Sequence, residues 1–132
     1  MTMNGRVWAS GLALVLVVGC AKGPPVPTAK YFSGEPVEHW LEAIKSPDPK
    51  ARKKAADVLG NVGPVDPRAV PALIEAVKDR DAKVRDAAVL GLSKIGPPAS
   101  SAESVLEEAT KDKDPTVRSH AVTALERVRG AK

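Results

Sequence analysis

The sequence is poor in aromatic residues and contains a single cysteine. Only 3% of its 132 residues are aromatic although 43% are hydrophobic, so small and branched side chains must form most of the core. The lone Cys20 excludes an internal disulfide and any multi-cysteine metal site. The formal net charge is +4, with both signs interspersed, whereas a nucleic-acid-binding protein of this size usually carries a stronger, clustered excess. We therefore expect one small domain that does not bind nucleic acid.

Motifs that mark common catalytic sites are missing as well. The sequence has no Gly-rich phosphate loop, no Gly-x-Ser-x-Gly elbow and no His-Glu-x-x-His pair. Its two histidines, His39 and His120, lie near opposite ends of the region with helical patterns, so we expect neither a shared metal site nor an acid–base pair. The prediction is a protein that is not an enzyme and needs no metal or cofactor.

The first 20 residues have the pattern of a secretion signal. Arg6 supplies a positive charge, residues 7–18 are almost continuously apolar, and a glycine precedes Cys20. The apolar run is too short to predict a membrane-spanning helix. Residues 16–20, LVVGC, resemble the lipobox of bacterial lipoproteins, which implies a signal peptide over residues 1–19 and lipidation of Cys20. An ordinary signal peptide and an uncleaved anchor are the alternatives.

Residues 20–34 are predicted to connect this anchor to the folded part. They contain one glycine and three prolines before residue 28, a composition typical of an extended, solvated tether. Tyr31 and Phe32 then begin an aromatic cluster that includes Trp40. Because the first unit of a stacked array has no outer neighbour, we predict that this cluster caps the exposed apolar flank. An aromatic ligand cleft beside His39 is the alternative.

One pattern occurs three times at a spacing of 33 residues. Each copy predicts an amphipathic helix that begins after an aspartate N-cap, carries an arginine four residues later, and has apolar residues at helical spacing. A Gly-Pro stop signal ends the first two copies but not the third. The aspartates and arginines of the three copies are Asp48 and Arg52, Asp81 and Arg85, and Asp114 and Arg118. No gap is needed to keep the register, which indicates a repeat protein.

A shorter apolar segment precedes each of these helices. The predicted first helices run from about 36 to 45, from 67 or 69 to 79, and from 101 to 111. Trp40, Leu73 and Leu106 share one register position in them. The chain thus predicts three helical hairpins, in units of about 36–66, 67–99 and 100–130, within a repeat domain over residues 35–132.

The second-helix pattern, Asp-x-x-(Val/Ala)-Arg-x-x-Ala-x-x-x-Leu-x-x-(Val/Ile)-Gly, is similar to that of HEAT repeats, in the short bacterial form also called HEAT-like or PBS-lyase-type repeats. The similarity covers about residues 36–129. It implies an all-α fold, an α-α superhelix built as a HEAT-like α-solenoid of three hairpins. The third copy departs from the pattern in lacking the Gly-Pro stop and in placing His120 where the second copy has Ala87.

The three arginines lie in the first turn of their helices, where the helix dipole opposes a positive charge. Their recurrence indicates a partner, and the N-terminal aspartates of the same pattern are the nearest candidates. The family resemblance implies an inter-repeat ladder of Asp–Arg contacts made by Asp48, Arg52, Asp81, Arg85, Asp114 and Arg118. A row of arginines that binds phosphates is the alternative.

The second helices of a solenoid usually line its concave side, which binding proteins of this class use. Register places Lys53, Lys54, Asp57, Asp86, Leu90 and Ser93 outward there, as a candidate partner surface. Leu90 is distinctive because its equivalents in the other units are polar. Contact of the basic residues near Lys53 with anionic lipid heads is a second interpretation.

Together these patterns predict a non-enzymatic, membrane-tethered scaffold that mediates protein–protein interaction in the bacterial cell envelope. We expect an unidentified protein partner, membrane contact through the lipid anchor, and a monomer. Ala21, directly after the cysteine, favours the periplasmic side of the outer membrane. One alternative is an enzyme or enzyme accessory of the HEAT-like bilin-lyase type, and another is a structural fragment completed by repeats on a second chain.

Overall fold

The computed structural model describes residues 30–130, which form six α-helices arranged as three hairpins. The predicted signal peptide and Cys20 lie outside the described residues. Within residues 30–130, no helix combines the length and apolar character needed to cross a bilayer. The helices are α1 (Val37–Ala43), α2 (Pro49–Val62), α3 (Ala69–Ala76), α4 (Ala82–Ile95), α5 (Glu103–Ala109) and α6 (Pro115–Val128). A 3-10 helix (Pro97–Ala102) leads into α5.

The second helix of each hairpin lies in one layer and the first helices cover that layer. α4 packs between α2 and α6, while α1, α3 and α5 each pack against the second helix of their own unit. The largest fully buried side chains come from both layers and include Leu59, Leu73, Leu92 and Leu106. Since each layer buries its apolar stripe against the other, the prediction of an all-α solenoid is confirmed.

The first helices are two or three residues shorter at their carboxyl ends than predicted. The chain tightens there into turns in which an amide donates to the carbonyl three residues earlier, as is common in the last turn of a helix. The three equivalent bonds are Lys45 N to Glu42 O, Lys78 N to Glu75 O, and Lys111 N to Glu108 O. These turns bring the chain to the aspartate that caps the next helix.

A small β-hairpin covers the outer side of the first unit. Its strands, β1 (Tyr31–Phe32) and β2 (Glu35–Pro36), pair antiparallel. The turn between them is Ser33 and Gly34, both at positive φ, as a type I′ hairpin turn requires. The Trp40 ring is buried and its Nε1 donates to the Phe32 carbonyl at 2.9 Å, whereas Tyr31 is exposed. The aromatic cap therefore consists of Trp40 and the half-buried Phe32, without Tyr31.

Glycines let α2 and α4 approach closely. A Cβ on Gly60 would lie 2.6 Å from the Gly91 Cα, closer than non-bonded atoms approach. A Cβ on Gly63 would meet the Ile95 side chain. Gly63 thus serves packing, since its φ of −49° is right-handed, whereas Gly96 ends α4 at a φ of +70°.

Candidate protein-interaction surface

Two buried arginines lock adjacent units together. Arg52 of α2 donates from Nε to Asp79 Oδ2 at 2.8 Å and from Nη2 to Asp79 Oδ1 at 3.0 Å. Arg85 of α4 makes the same pair with Asp112, at 2.8 and 2.9 Å. Each bidentate pair joins the second helix of one unit to the turn after the first helix of the next. This is an inter-unit arginine ladder.

The acidic partners in this ladder differ from those expected. Asp48, Asp81 and Asp114 are N-caps, and their carboxylates accept from the free amides of their own helices. Asp81, for example, accepts from the amides of Lys83 and Val84. An oxygen committed to these amides points along its own helix and not toward the neighbouring unit. The assignment of these three aspartates as the arginines' hydrogen-bonding partners is therefore wrong, although their charges still attract Arg52 and Arg85.

Backbone carbonyls hold each guanidinium from the other side. Arg52 Nη1 donates to the carbonyls of Ser46 and Pro47, at 2.9 and 3.0 Å. Arg85 Nη1 donates in the same way to the carbonyls of Asp79 and Arg80. These acceptors lie in the turn that precedes each arginine's own helix. They stabilise a cation in the first turn despite the opposing helix dipole.

The ladder perturbs the ionisation of its members. The Arg85 guanidinium holds the pKa of the Asp112 carboxyl below its usual value of 3.8, and Asp112 in turn raises the pKa of Arg85. Burial acts to raise the pKa of Asp79. Hydrogen bonds from Arg52 and from the Asp81 amide outweigh that effect, so the pKa of Asp79 is lowered overall. Both carboxylates are thus charged at neutral pH.

Arg118 occupies the same place in the last unit but is exposed. Its Nη1 donates to the carbonyls of Asp112 and Lys113, at 2.8 and 3.2 Å. Across residues 30–130, no carboxylate lies within ion-pair distance of it. The arginine ladder thus joins units one and two through Asp79 and units two and three through Asp112, and its third position, Arg118, is open.

A groove crosses the amino-terminal ends of the second helices. It consists of two adjoining depressions of about 350 and 240 Å³. Lys53, Ala82 and Lys83 line both depressions, so they are continuous. The remaining lining residues are Pro49, Lys50, Asp81, Asp86, Asp114 and Thr116. We call this feature the N-terminal groove. Because all three units contribute to it, it is a surface that only the stacked array creates.

The structure divides the six candidate surface residues. Lys53 and Asp86 line the N-terminal groove, and Lys53 Nζ donates to Asp57 Oδ2 at 2.7 Å. Lys54 turns away to the capping end, where its Nζ lies 5.4 Å from the centroid of the Trp40 ring. Leu90 is 36% exposed, as its outward register position predicts.

The prediction that Ser93 faces outward is wrong, because the residue is buried. This position lies on the side of its helix that faces the following unit. The equivalent Gly60 of α2 is buried against Gly91 of α4, whereas the equivalent Glu126 of α6 is exposed because no further unit covers that side within residues 30–130.

Asp86 contributes a contact that the sequence did not predict. One of its oxygens lies 2.6 Å from Nδ1 of His120 in α6. This pair joins α4 to α6 beside the N-terminal groove. The departure of the third copy at His120 thus coincides with a contact between units.

Asp79 and Asp112 are the residues that sequence reasoning missed. Both follow a first helix, and they are 33 residues apart in the sequences Asp-Arg-Asp and Asp-Lys-Asp. The equivalent residue of the first unit is Ser46, and within residues 30–130 no arginine-bearing second helix precedes that unit. The same register that identified the arginines contained this signal.

The described region offers no metal site. Among residues 30–130, no three His, Cys, Asp or Glu side chains come close enough to hold an ion. His39 packs edge-on against Trp40 at the capping end, with ring centroids 4.8 Å apart. His39 and His120 accordingly belong to different ends of the array.

Stacked hairpins with inter-unit contacts and a shared groove define this chain as an α-solenoid. A model of the HEAT-repeat family matches residues 37–126, and the chain belongs to that family. It is similar in structure to an engineered protein solved by a structural genomics consortium, with a TM-score of 0.57 and 24% sequence identity. That similarity covers 71% of this chain and 45% of the engineered one, and it supports the fold alone. No curated protein matches the sequence.

Proposed function

We propose that this protein is a non-enzymatic scaffold that binds another protein along the N-terminal groove. HEAT repeats are generally protein-interaction scaffolds. The observation that carries the proposal is the continuity of the groove across all three units, because it gives a partner one extended surface. The interlocked ladder behind this surface keeps it pre-formed, which lowers the entropy lost on binding.

The charge of the groove indicates the kind of partner segment that fits. Three lysines line it, Lys50, Lys53 and Lys83, and three aspartates balance their formal charge. The aspartate oxygens are engaged within the protein, since Asp81 and Asp114 cap their own helices and Asp86 contacts His120. Lys50 and Lys83 form no ion pair among residues 30–130, so their ammonium groups are available to a partner. The partially exposed Leu90 lies one helical turn beyond Asp86 and supplies an apolar contact. We expect an acidic segment with at least one apolar side chain.

A quantitative pull-down from envelope extract tests the groove. The double variant Lys53→Glu, Lys83→Glu reverses the charge of two lining residues, and Lys78→Glu, at an exposed position in the turn after α3, is the control. The proposal predicts a stoichiometric protein partner with wild type and the control, and its loss with the double variant. Equal capture by all three proteins contradicts the groove. A co-purifying chromophore in place of a protein partner supports the bilin-lyase alternative.

We also propose that the chain is tethered to the membrane through lipidated Cys20, on the periplasmic side of the bacterial outer membrane. The lipobox-like sequence before Cys20 and its position as the only cysteine support this proposal. Intact mass of the membrane-extracted protein tests it. A lipidated species that begins at Cys20 is the expected result, and a species that begins at Met1 without lipid refutes it. Cys20→Ser is predicted to release the protein from the membrane fraction.

A further inference from the structure

We propose that the α6 end of the solenoid is a docking surface for another protein, which pairs a carboxylate at the end of one of its helices with Arg118. This inference rests on the proposed function in treating the chain as a scaffold, and it adds a second surface with a partner of defined chemistry. The open third position of the arginine ladder is the observation that leads to it.

Arg118 is held ready for such a partner. Its Nη1 is fixed by the carbonyls of Asp112 and Lys113, the same arrangement that holds Arg52 and Arg85. In those two cases Nε and Nη2 bind one carboxylate side-on. The corresponding donors of Arg118 make no hydrogen bond to any residue in the described part of the chain. The internal pairs thus show the geometry that an incoming carboxylate would adopt.

Apolar side chains beside Arg118 are also more exposed than their equivalents in the other two units. Val122 is 50% exposed, although its equivalents Ala56 and Val89 are completely buried. Leu125 is half-buried, whereas its equivalents Leu59 and Leu92 are completely buried. In the first two units these positions are covered by the following unit. The α6 flank consequently combines a cation with an apolar contact, which a stacked partner would bury together.

The partner is a different polypeptide. A second copy stacked head to tail would place Ser46, the counterpart of Asp79 and Asp112, opposite Arg118, and serine carries no charge. Residues 1–29 contain no aspartate or glutamate, so that segment lacks the required side chain as well. We therefore assign the carboxylate to a different protein.

The internal pairs also define how the partner must present its carboxylate. Asp79 and Asp112 directly follow the last turn of a first helix. The oxygen of each that faces Nη2 also accepts from the amide two residues later, at 2.9 Å in Asp79 and 2.8 Å in Asp112. We therefore expect an aspartate or glutamate just after a helix, in a turn that leads to a second element.

Site-specific photo-crosslinking in cells of the source organism tests the inference. The full chain carries benzoylphenylalanine in place of Val122, and mass spectrometry locates the attachment point. The expected adduct joins a different protein within a few residues of an acidic side chain at a helix end. Its yield should fall at least about tenfold in Arg118→Ala, because the truncation leaves the partner's carboxylate without its counter-ion in the contact. Arg127→Ala, on the same helix, should keep the yield.

Three results would overturn the inference: no adduct at Val122, an adduct joining two copies of this chain, or an adduct whose yield is unchanged by Arg118→Ala. Circular dichroism of each variant confirms that it is folded. The groove variant Lys53→Glu, Lys83→Glu separates the two proposals. If this double variant still captures the partner while the Val122 adduct depends on Arg118, the groove proposal is wrong and docking at the α6 end is supported. If the double variant loses the partner and no Val122 adduct forms, the groove proposal is supported and docking at the α6 end is wrong.

Discussion

Arg85 and Asp112 form a two-bond ion pair between consecutive repeat units, at 2.8 and 2.9 Å, with both side chains largely buried. The pair fixes the second helix of unit two against the turn that ends the first helix of unit three. It sets the distance and the rotation between units at once, because a guanidinium binds a carboxylate side-on in one plane. The array is thus held by apolar packing and by an oriented polar contact at each junction.

The role of Asp81 as a helix cap gives the first prediction. Asp81→Ala should lower the free energy of unfolding by about 1 kcal/mol, whereas Asp81→Asn should have a much smaller effect, since asparagine caps helices as well as aspartate does. Urea denaturation of the two variants measures the difference. If Asp81 acted mainly through its charge on Arg52, the asparagine variant would be as destabilised as the alanine variant.

Acid sensitivity of the ladder gives the second prediction. The folded state lowers the pKa of Asp112 below 3.8, so the pair contributes stability that is fully present above that value and is lost as pH falls through the folded-state pKa. The gap in unfolding free energy between wild type and Asp112→Asn should be constant from neutral pH to about pH 5 and should narrow below about pH 4.

Urea denaturation at a series of pH values measures this gap. Glu126→Gln, which changes an exposed carboxylate on α6, is the control and should show only a small gap near neutral pH. A gap for Asp112→Asn that widens on acidification would contradict the assignment.

The glycine contact between α2 and α4 gives the third prediction. Gly60→Ala should destabilise the fold by about 1–3 kcal/mol, because the new methyl would lie 2.6 Å from the Gly91 Cα and force the two helices apart. This is opposite to the gain of about 1 kcal/mol that alanine gives over glycine in an open helix. Asn61→Ala, at an exposed position of the same helix, is the control. A neutral or stabilising Gly60→Ala would contradict the close packing.

Much of the fold follows from the sequence because a repeat presents each local signal three times. The N-caps, the second helices and the buried positions of Trp40, Leu73 and Leu106 all follow from register and helical spacing. Ser93 was misplaced for a physical reason: register places a residue on a helix, but its burial depends on whether a neighbouring unit covers that side of the helix.

The ladder partners were missed for a related reason. The nearest aspartate in sequence is turned toward its own helix, and the aspartate that reaches Arg52 is 27 residues away. Only the stacking of units brings that side chain into contact. The short strands before α1 were also not predicted. They depend on a turn with positive φ at Ser33 and Gly34.

Among residues 30–130, one arginine position of the repeat locks units one and two and units two and three, and it is open in unit three. The free energy of unfolding of Arg85→Ala, Arg118→Ala and Lys83→Ala, measured by urea denaturation, tests this claim most directly. We predict a loss of about 3 kcal/mol for Arg85→Ala, since it leaves a buried Asp112 carboxylate without its partner. Arg118→Ala and Lys83→Ala, both at exposed positions, should each stay within about 0.5 kcal/mol of wild type. Equal losses for Arg85→Ala and Arg118→Ala, or negligible effects for all three variants, would contradict the claim.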